Sequence, residues 1–487
     1  MGGTISIADL MTTSGVGFGT SGARGLAAAM TDRVCYAYTA AFLRHLADLG
    51  EIRPGGRVAL AGDLRPSTPR ILAACAAAID DGGYAPVNCG AIPTPAVANW
   101  GLREGIASLM VTGSHIPDDR NGIKFYRPAG EILKADEAAI RGQSVGLPGG
   151  RFTSDGVLLH PSLPVASQVA YQAYVHRYLD FFPPACLAGR RVGVYEHSTV
   201  AREAFGEVLG ALGAEVIPLG RAERFVPVDT EAIRVEDVAL ARRWAAKVGF
   251  AAIVSADGDG DRPLVGDERG AWLRGDVVGI LTARYLGADS AVTPVSSNTA
   301  LERTGWFTRT IRTRIGSPFV IAGMQQAQGR CVVGYEANGG FLTQSDVVRD
   351  GRRLPALPTR DALVVALGVL GLAAERGVPV SGLAALLPPR FTASDRLKDF
   401  PTQLAQERIA RLSAGGAAAI EAAFPHLGPV RETDETDGLR IGFADGGIVH
   451  LRPSGNAPEL RCYVEADSEA RAAALLQRCL ADLERWR

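Results

Sequence analysis

The chain runs to 487 residues, enough for three or four domains at about 100 to 200 residues each, so a peptide or a single small module is excluded. With 47% hydrophobic and 21% charged residues, its composition is that of a globular protein rather than a disordered one. The 51 basic and 52 acidic residues leave a net charge of -1 and are spread along the whole chain, which argues against a nucleic-acid partner, since phosphate neutralisation needs a clustered basic surface.

Seven cysteines, an odd number without CxxC spacing, point away from a disulfide framework or zinc ribbon and fit a reducing cytoplasm. No membrane partner is expected. The uncharged apolar run 362–374 is too short for a span and reads as a buried helix, and the N-terminus, with Asp9 in a short apolar stretch and no basic lead, is not a secretory signal. Lysine is scarce: Lys124, Lys134, Lys247 and Lys398 are the only four, so a lysine in a polar loop is notable.

In chain order, a strand over 57–61, a helix from Thr68, a strand over 85–89, a helix over 96–103 and a strand over 106–111 form a βαβαβ unit. Ser67 or Thr68 is placed to cap the first helix, with Pro69 in its first turn, and Gly82 with Gly83 to end it. The rhythm returns with a strand over 191–195, a helix over 201–212, a strand over 215–219, a helix over 235–247 and a strand over 250–255. A third unit has a helix over 276–286, a strand over 291–295, a helix over 318–328, a strand over 331–335 and a closing helix over 360–376. The last hundred residues differ, with strands over 439–443, 448–451 and 460–465 and a helix from Ser468, an α+β pattern. Stretches rich in Gly, Pro, Ser and Thr at 142–156 and 387–394 read as linkers. The expected fold is therefore α/β, with three α/β/α domains of mixed sheets over 1–150, 156–272 and 273–386 and a C-terminal α+β domain over 390–487.

Ligands of open α/β sheets sit beyond the carboxyl ends of the strands, so the residues after each strand carry the chemistry. The first such loop, 112–124, concentrates a hydroxyl nucleophile, an imidazole and a scarce lysine in Ser114, His115 and Lys124. It could also be a polar turn, but it is not a GxSxG elbow, because Ile116 takes the last glycine's place. The second holds Asp257, Asp259, Asp261 and Arg262, three carboxylates on alternate residues that suit one hard divalent cation. Without a cation their charges would repel and raise one another's pKa. An EF-hand is nearly matched through Glu268, but Arg262 stands where its turn needs glycine and the preceding segment is a strand. Arg262 instead sets a fixed cation beside the metal, suited to a phosphoryl group between the two.

The third loop places Glu336 and Asn338 two residues apart, able to bind sugar hydroxyls, although Asn-Gly-Gly is also an ordinary turn. In the last domain Arg452, Ser454, Gly455, Asn456 and Arg461 supply guanidinium forks, a hydroxyl and backbone N–H groups suited to a phosphate dianion; the bland reading is a hairpin turn with surface arginines.

Together with the segment 19–25, which contains Arg24, these motifs stand in the order found in α-D-phosphohexomutases, and the chain resembles that family over nearly its whole length. The wording of 65–70, 92–95 and 334–341 is most similar to bacterial phosphomannomutases. The resemblance implies a heart-shaped molecule of four domains, the fourth like the TATA-binding protein, with the site where they meet. It implies that Ser114 is the phosphoserine, that Asp257, Asp259 and Asp261 hold Mg2+ together with Ser114, and that Arg24, His115, Lys124 and Arg262 surround the transferring group. Glu336, Asn338 and Gly316 would contact the sugar, and Arg452, Ser454, Gly455, Asn456 and Arg461 the phosphate that does not react.

Three departures from the family pattern stand out. The sugar loop reads Glu-Ala-Asn-Gly-Gly where many relatives have Glu-x-Ser-Gly-His, the phosphate loop has Asn456, Ala457 and Glu459 where Thr, Glu and Lys are usual, and the serine loop reads Thr-Gly-Ser-His-Ile-Pro where Ala-Ser-His-Asn-Pro is common. The implied reaction interconverts mannose 6-phosphate and mannose 1-phosphate through a hexose 1,6-bisphosphate, which also serves as activator; the glucose pair, or both sugars, is the alternative. A silent sugar-phosphate sensor or a calcium-binding module is the reading from another class. Lys124 or His115 would handle the proton, with Lys124 preferred because Arg24, Arg262 and a metal should lower its pKa. The partners expected are small hexose phosphates, in a monomer or homodimer.

Overall fold

The computed structural model describes residues 3–19, 22–454 and 458–487. The chain divides into two compact units, Met1–Ala288 with Arg330–Leu383, and Asp289–Gly329 with Ala384–Arg487. Both are built from mixed or antiparallel sheets covered by helices, as the alternation of strand and helix patterns requires.

In the larger unit the first sheet runs Gly17–Phe18, Gly22–Leu26, Arg120–Arg127, Ala107–Val111, Arg57–Gly62 and Ala85–Asn88, with Gly130–Glu131 on Arg120–Arg127. The last three strands of that order are parallel, joined by the helices Thr68–Asp81 and Thr94–Glu104. The expected βαβαβ unit is present, and its first helix buries Ile71, Leu72, Ala74 and Cys75 in one core with Val58, Leu60, Leu109 and Val111. Each such aliphatic side chain contributes about 1.5 to 3 kcal/mol by leaving water.

Four local expectations are corrected. Lys124 is not in a loop: Arg120–Arg127 is a strand antiparallel to both Ala107–Val111 and Gly22–Leu26, which sets Lys124 between Met110 and Gly22. The approach is so close that a Cβ on Gly22, whose φ is 156°, would lie 2.0 Å from the Ile123 carbonyl oxygen. Ser67 occupies the N-cap position of its helix, but its side chain makes no capping hydrogen bond; its Oγ accepts from Asn121 Nδ2 at 2.9 Å, and Thr68 Oγ1 donates to Asp63 Oδ1 at 2.7 Å. The stretches read as linkers contain the strand Ser144–Leu147, paired with Gly3–Ser6, and the start of Phe391–Leu397. The helix Asp32–Asp48, buried along most of its length, is absent from the elements expected from the sequence.

A second sheet in the same unit runs Glu215–Leu219, Arg191–Tyr195, Ala252–Ala256 and Pro263–Gly266; only the last pairing is antiparallel, and its turn is the aspartate loop. The hairpin Val332–Tyr335 with Phe341–Thr343 carries the Glu336 turn, closed by hydrogen bonds from Glu336 N to Gly340 O at 3.0 Å and from Gly339 N to Glu336 O at 2.9 Å.

The smaller unit contains the parallel pair Ser290–Pro294 and Arg309–Thr313 and, as a separate sheet, the antiparallel order Phe391–Leu397, Leu460–Ala466, Ile448–Pro453, Leu439–Phe443 and Val430–Asp434. Helices Thr402–Ala423 and Glu469–Glu484 pack on that sheet over Phe400, Ile420, Phe424, Ile441, Val449 and Leu483, the α+β arrangement expected of the C-terminal part. Among the described residues no single helix is long and apolar enough to cross a membrane.

Candidate active site

The serine loop leaves the carboxyl end of Ala107–Val111 and turns at Ser114, whose φ of 57° is a left-handed conformation that costs a non-glycine residue about 1 to 2 kcal/mol. The turn is held from both sides of the residue. Ser114 N donates to Thr112 Oγ1 at 2.8 Å, and Thr112 Oγ1 donates to Asp63 Oδ2 at 2.8 Å. Arg65, completely buried, donates from Nη2 to the carbonyls of Ser114 at 2.8 Å and Ile116 at 2.6 Å, and from Nη1 to those of Pro117 at 2.5 Å and Arg120 at 3.1 Å. Its Nε donates to Asp63 Oδ2 at 3.0 Å, and its guanidinium lies 4.0 Å from the centre of the Phe225 ring. A Cβ on Gly113 would lie 2.6 Å from Arg65 Cζ, so glycine is required where the guanidinium crosses the loop.

Arg65 had been noted only as part of a stretch of family wording; its role comes from contacts to residues about fifty positions away. Arg65→Lys keeps one charge but cannot reach these acceptors together. Steady-state kinetics should show kcat lowered about a hundredfold with KM little changed, the cost of displacing a reacting atom by about an ångström.

The aspartate loop meets Ser114. Ser114 Oγ donates to Asp257 Oδ2 at 2.5 Å, and Asp257 Oδ1 accepts from the backbone N–H groups of Asp261 and Arg262, each at 3.2 Å. Asp259 Oδ2 accepts from Thr94 Oγ1 at 2.5 Å and Lys124 Nζ at 2.6 Å, while Asp261 Oδ2 accepts from Lys124 Nζ at 2.5 Å and Arg360 Nε at 3.0 Å. All three aspartates are completely buried, with one ligand oxygen from each within 4.8 Å of the others. Asp259 Oδ1 and Asp261 Oδ1 are buried without a hydrogen-bond partner. Two orphaned anionic oxygens beside Asp257 and a hydroxyl form a hard oxygen donor set that fits Mg2+.

The electrostatics follow from this crowding. Burial raises the Asp257 carboxyl well above its usual range, and Asp259 and Asp261 push it the same way. Burial would raise Asp261 too, but Arg360, Lys124 and Arg262 hold it below the usual carboxylate range. For Lys124 the direction set by the protein's own groups is opposite to the one expected beside a metal. Burial does lower its pKa, but Asp259 and Asp261 outweigh that, and the ammonium is stabilised rather than depressed. Burial and then Arg262 push the His115 imidazole down to about 3, so the ring is neutral at pH 7. His115 Nδ1 accepts from Arg262 Nη1 at 3.0 Å and lies 3.4 Å from Ser114 Oγ. Burial and Arg262 lower the Arg24 guanidinium to about 10; Arg24 makes no ion pair with a described residue.

Glu336 joins this group through Arg360, whose Nη1 donates to Glu336 Oε1 at 3.4 Å. Asn338 is buried, and its Oδ1 accepts from Gly340 N at 2.9 Å. The larger unit thus brings together Arg24, Ser114, His115, Lys124, the three aspartates, Arg262, Glu336 and Asn338. Thr94, which lies within the family wording of 92–95, and Arg360 are not among the expected site residues, because each acts on a group far along the chain.

The smaller unit holds Gly316, Arg452, Ser454 and Arg461; Gly455 and Asn456 lie outside the described residues. Arg452 and Arg461 are register partners on adjacent strands, as are Arg461 and Arg396, so three arginines stand side by side on one face. Asp437 accepts from Ile315 N at 3.0 Å and pairs with Arg452 Nε at 2.8 Å, tying the residue before Gly316 to the strand Ile448–Pro453. Arg396 and Asp437 were not anticipated from the sequence.

Family models for phosphoglucomutase/phosphomannomutase match as alpha/beta/alpha domain I over residues 15–144, alpha/beta/alpha domain III over 274–391 and the C-terminal domain over 404–481. A phosphomannomutase of Sinorhizobium fredii is 44% identical over 470 residues, covering 96% of this chain and 98% of its own. One from Salmonella muenchen is 42% identical over 484 residues, covering 98% of this chain and 97% of its own. A crystal structure of a phosphoglucomutase/phosphomannomutase family protein from Burkholderia thailandensis has the same fold, with a TM-score of 0.73 at 20% identity over 99% of this chain and 97% of the other.

Proposed function

Because the chain belongs to the phosphoglucomutase/phosphomannomutase family and is a mutase of the isomerase class, we propose that it interconverts mannose 6-phosphate and mannose 1-phosphate through a phosphoserine at Ser114. The observation that carries this reading is the 2.5 Å contact of Ser114 Oγ with Asp257 inside a buried ring of alternating charges. Mannose is chosen over glucose on the names of the relatives at 42 to 44% identity.

In the proposed reaction the P–O bond of phosphoserine breaks as a bond forms between phosphorus and the free hydroxyl of the hexose phosphate, giving a hexose 1,6-bisphosphate. The bisphosphate reorients and its other phosphoryl group returns to Ser114 Oγ. Arg24, Arg262 and neutral His115 line the place of the transferring group and stabilise its charge. Mg2+ held by Asp257, Asp259, Asp261 and the Ser114 oxygen would neutralise charge on that group. A stabilised ammonium makes Lys124 a proton donor at neutral pH, so we assign it the proton delivered to the departing serine oxygen; the proton released by the attacking hexose hydroxyl restores the ammonium, and the return transfer runs the same exchange in reverse. Glu336 and Asn338 are assigned the sugar hydroxyls. Gly316 is assigned a sugar contact as well, and Arg452, Ser454, Gly455, Asn456 and Arg461 the phosphate that does not react.

A coupled assay with mannose 1-phosphate and glucose 1-phosphate, each with trace hexose 1,6-bisphosphate, tests the assignment. The expected result is a kcat/KM at least about tenfold higher for mannose, a transition-state difference of about 1.4 kcal/mol. A preference for glucose would overturn the substrate, and no turnover of either would overturn the mutase reading.

A further inference from the structure

Arg360 precedes the helix Ala362–Arg376 and is almost completely buried. Its Nε and Nη2 each lie 3.0 Å from Asp261 Oδ2, and its Nη1 lies 3.4 Å from Glu336 Oε1. One guanidinium therefore spans the metal loop and the sugar-loop turn. The backbone beneath it is fixed. Asp361 N donates to Phe341 O at 3.0 Å, and the completely buried Asp361 carboxylate accepts from the hydroxyls of Tyr174, at 2.7 Å, and Tyr178 while capping the helix at Leu363 N, 3.1 Å away.

Gly340 makes room for this side chain. A Cβ at position 340 would lie 2.5 Å from Arg360 Cδ and 2.7 Å from Cγ, the middle of a buried chain anchored at both ends. The second glycine of Glu-Ala-Asn-Gly-Gly, a departure noted in the sequence, is thus the counterpart of a guanidinium supplied from position 360.

We propose that Arg360 is the positioning residue that sets hexose discrimination, by holding the Glu336 carboxylate at a fixed place relative to Asp261. This rests on the sugar-phosphate mutase reading. A carboxylate tells one hydroxyl orientation from another only if it cannot swing to follow either, and a charged hydrogen bond from a buried, braced guanidinium supplies that restraint. Methionine at 360 removes the restraint, lysine retains a charge with one contact at a time, and alanine at 340 displaces the guanidinium without touching its charge.

The test is steady-state kinetics of wild type, Arg360→Met, Arg360→Lys and Gly340→Ala with mannose 1-phosphate and glucose 1-phosphate, each with trace hexose 1,6-bisphosphate. We expect Arg360→Met and Gly340→Ala to raise KM for the preferred hexose about tenfold and to bring the ratio of the two kcat/KM values close to one, with Arg360→Lys intermediate. A purely structural or metal defect would lower kcat for both hexoses in parallel and leave the ratio unchanged, and that outcome overturns the proposal. If Arg360→Met does not fold, Gly340→Ala decides on the same criterion. Wild-type protein that turns over neither hexose removes the mutase reading and this inference together, whereas an active wild type with an unchanged ratio in the variants removes this inference alone.

Discussion

Ser114→Ala is expected to give a folded protein that takes up no phosphate from hexose 1,6-bisphosphate and has lost at least about four orders of magnitude in kcat, because the covalent route is removed rather than impaired. Intact-protein mass reads the first result: wild type incubated with the bisphosphate gains one phosphoryl group and loses it to excess hexose 6-phosphate, and the variant does neither. Normal turnover by the variant would refute the nucleophile. The folded state should survive, since the loop is held through groups that alanine keeps, namely the residue 114 amide on Thr112 and its carbonyl on Arg65. The φ of 57° supplies a second measurement. Ser114→Gly loses the same hydroxyl as Ser114→Ala but also loses the Cβ that makes a left-handed backbone costly, so it should be the more stable of the two inactive variants by about 1 kcal/mol. Equal unfolding midpoints would show that the strain is absent.

Mg2+ should raise the unfolding temperature, and the rise should grow with pH. The sign comes from Asp257, whose folded-state pKa lies well above its ordinary value through burial and then Asp259 and Asp261. A carboxyl with a raised folded pKa favours the native state most at low pH. That contribution is lost as pH climbs from the unfolded value near 3.8 toward the folded one, because the native state must then carry an unwelcome charge. A divalent cation binds the ionised form, so it displaces a proton at low pH and binds without that cost at high pH. Scanning fluorimetry from pH 5.5 to 8.5 should therefore show a larger Mg2+ shift at the high end than at the low end, and chelator should reverse it. Asp259→Ala deletes one orphaned oxygen and leaves Lys124 paired with Asp261; it should abolish the Mg2+ shift and lower kcat at least about a thousandfold. A wild-type protein whose midpoint ignores Mg2+ at every pH would exclude the triad as a metal site.

The parts of the site that could be read in advance are those where chemistry is compressed into a few consecutive residues. Asp257, Asp259 and Asp261 occupy one hairpin turn, and Ser114 with His115 follows a strand at its carboxyl end, where an open sheet exposes its loops. Alternating apolar runs likewise disclosed most strands and helices of the α/β regions. Arg120–Arg127 escaped because its polar residues look like loop until Gly22–Leu26 and Ala107–Val111 flank it.

Lys124 marks the boundary between the two kinds of knowledge. The charges that act on it were all visible in the sequence, but the sign of their sum was not, because it depends on Asp259 and Asp261 lying 2.6 and 2.5 Å from its ammonium. The same holds for Arg65, Thr94 and Arg360, ordinary residues along the chain that become fixed donors only when the sheets assemble. Sequence alone determined which reactive groups this protein carries and which neighbours they have within a turn. Tertiary structure decided which cation meets which carboxylate, since Coulomb and hydrogen-bond energies depend on ångström separations between segments such as Ser114 and Asp257, 143 residues apart.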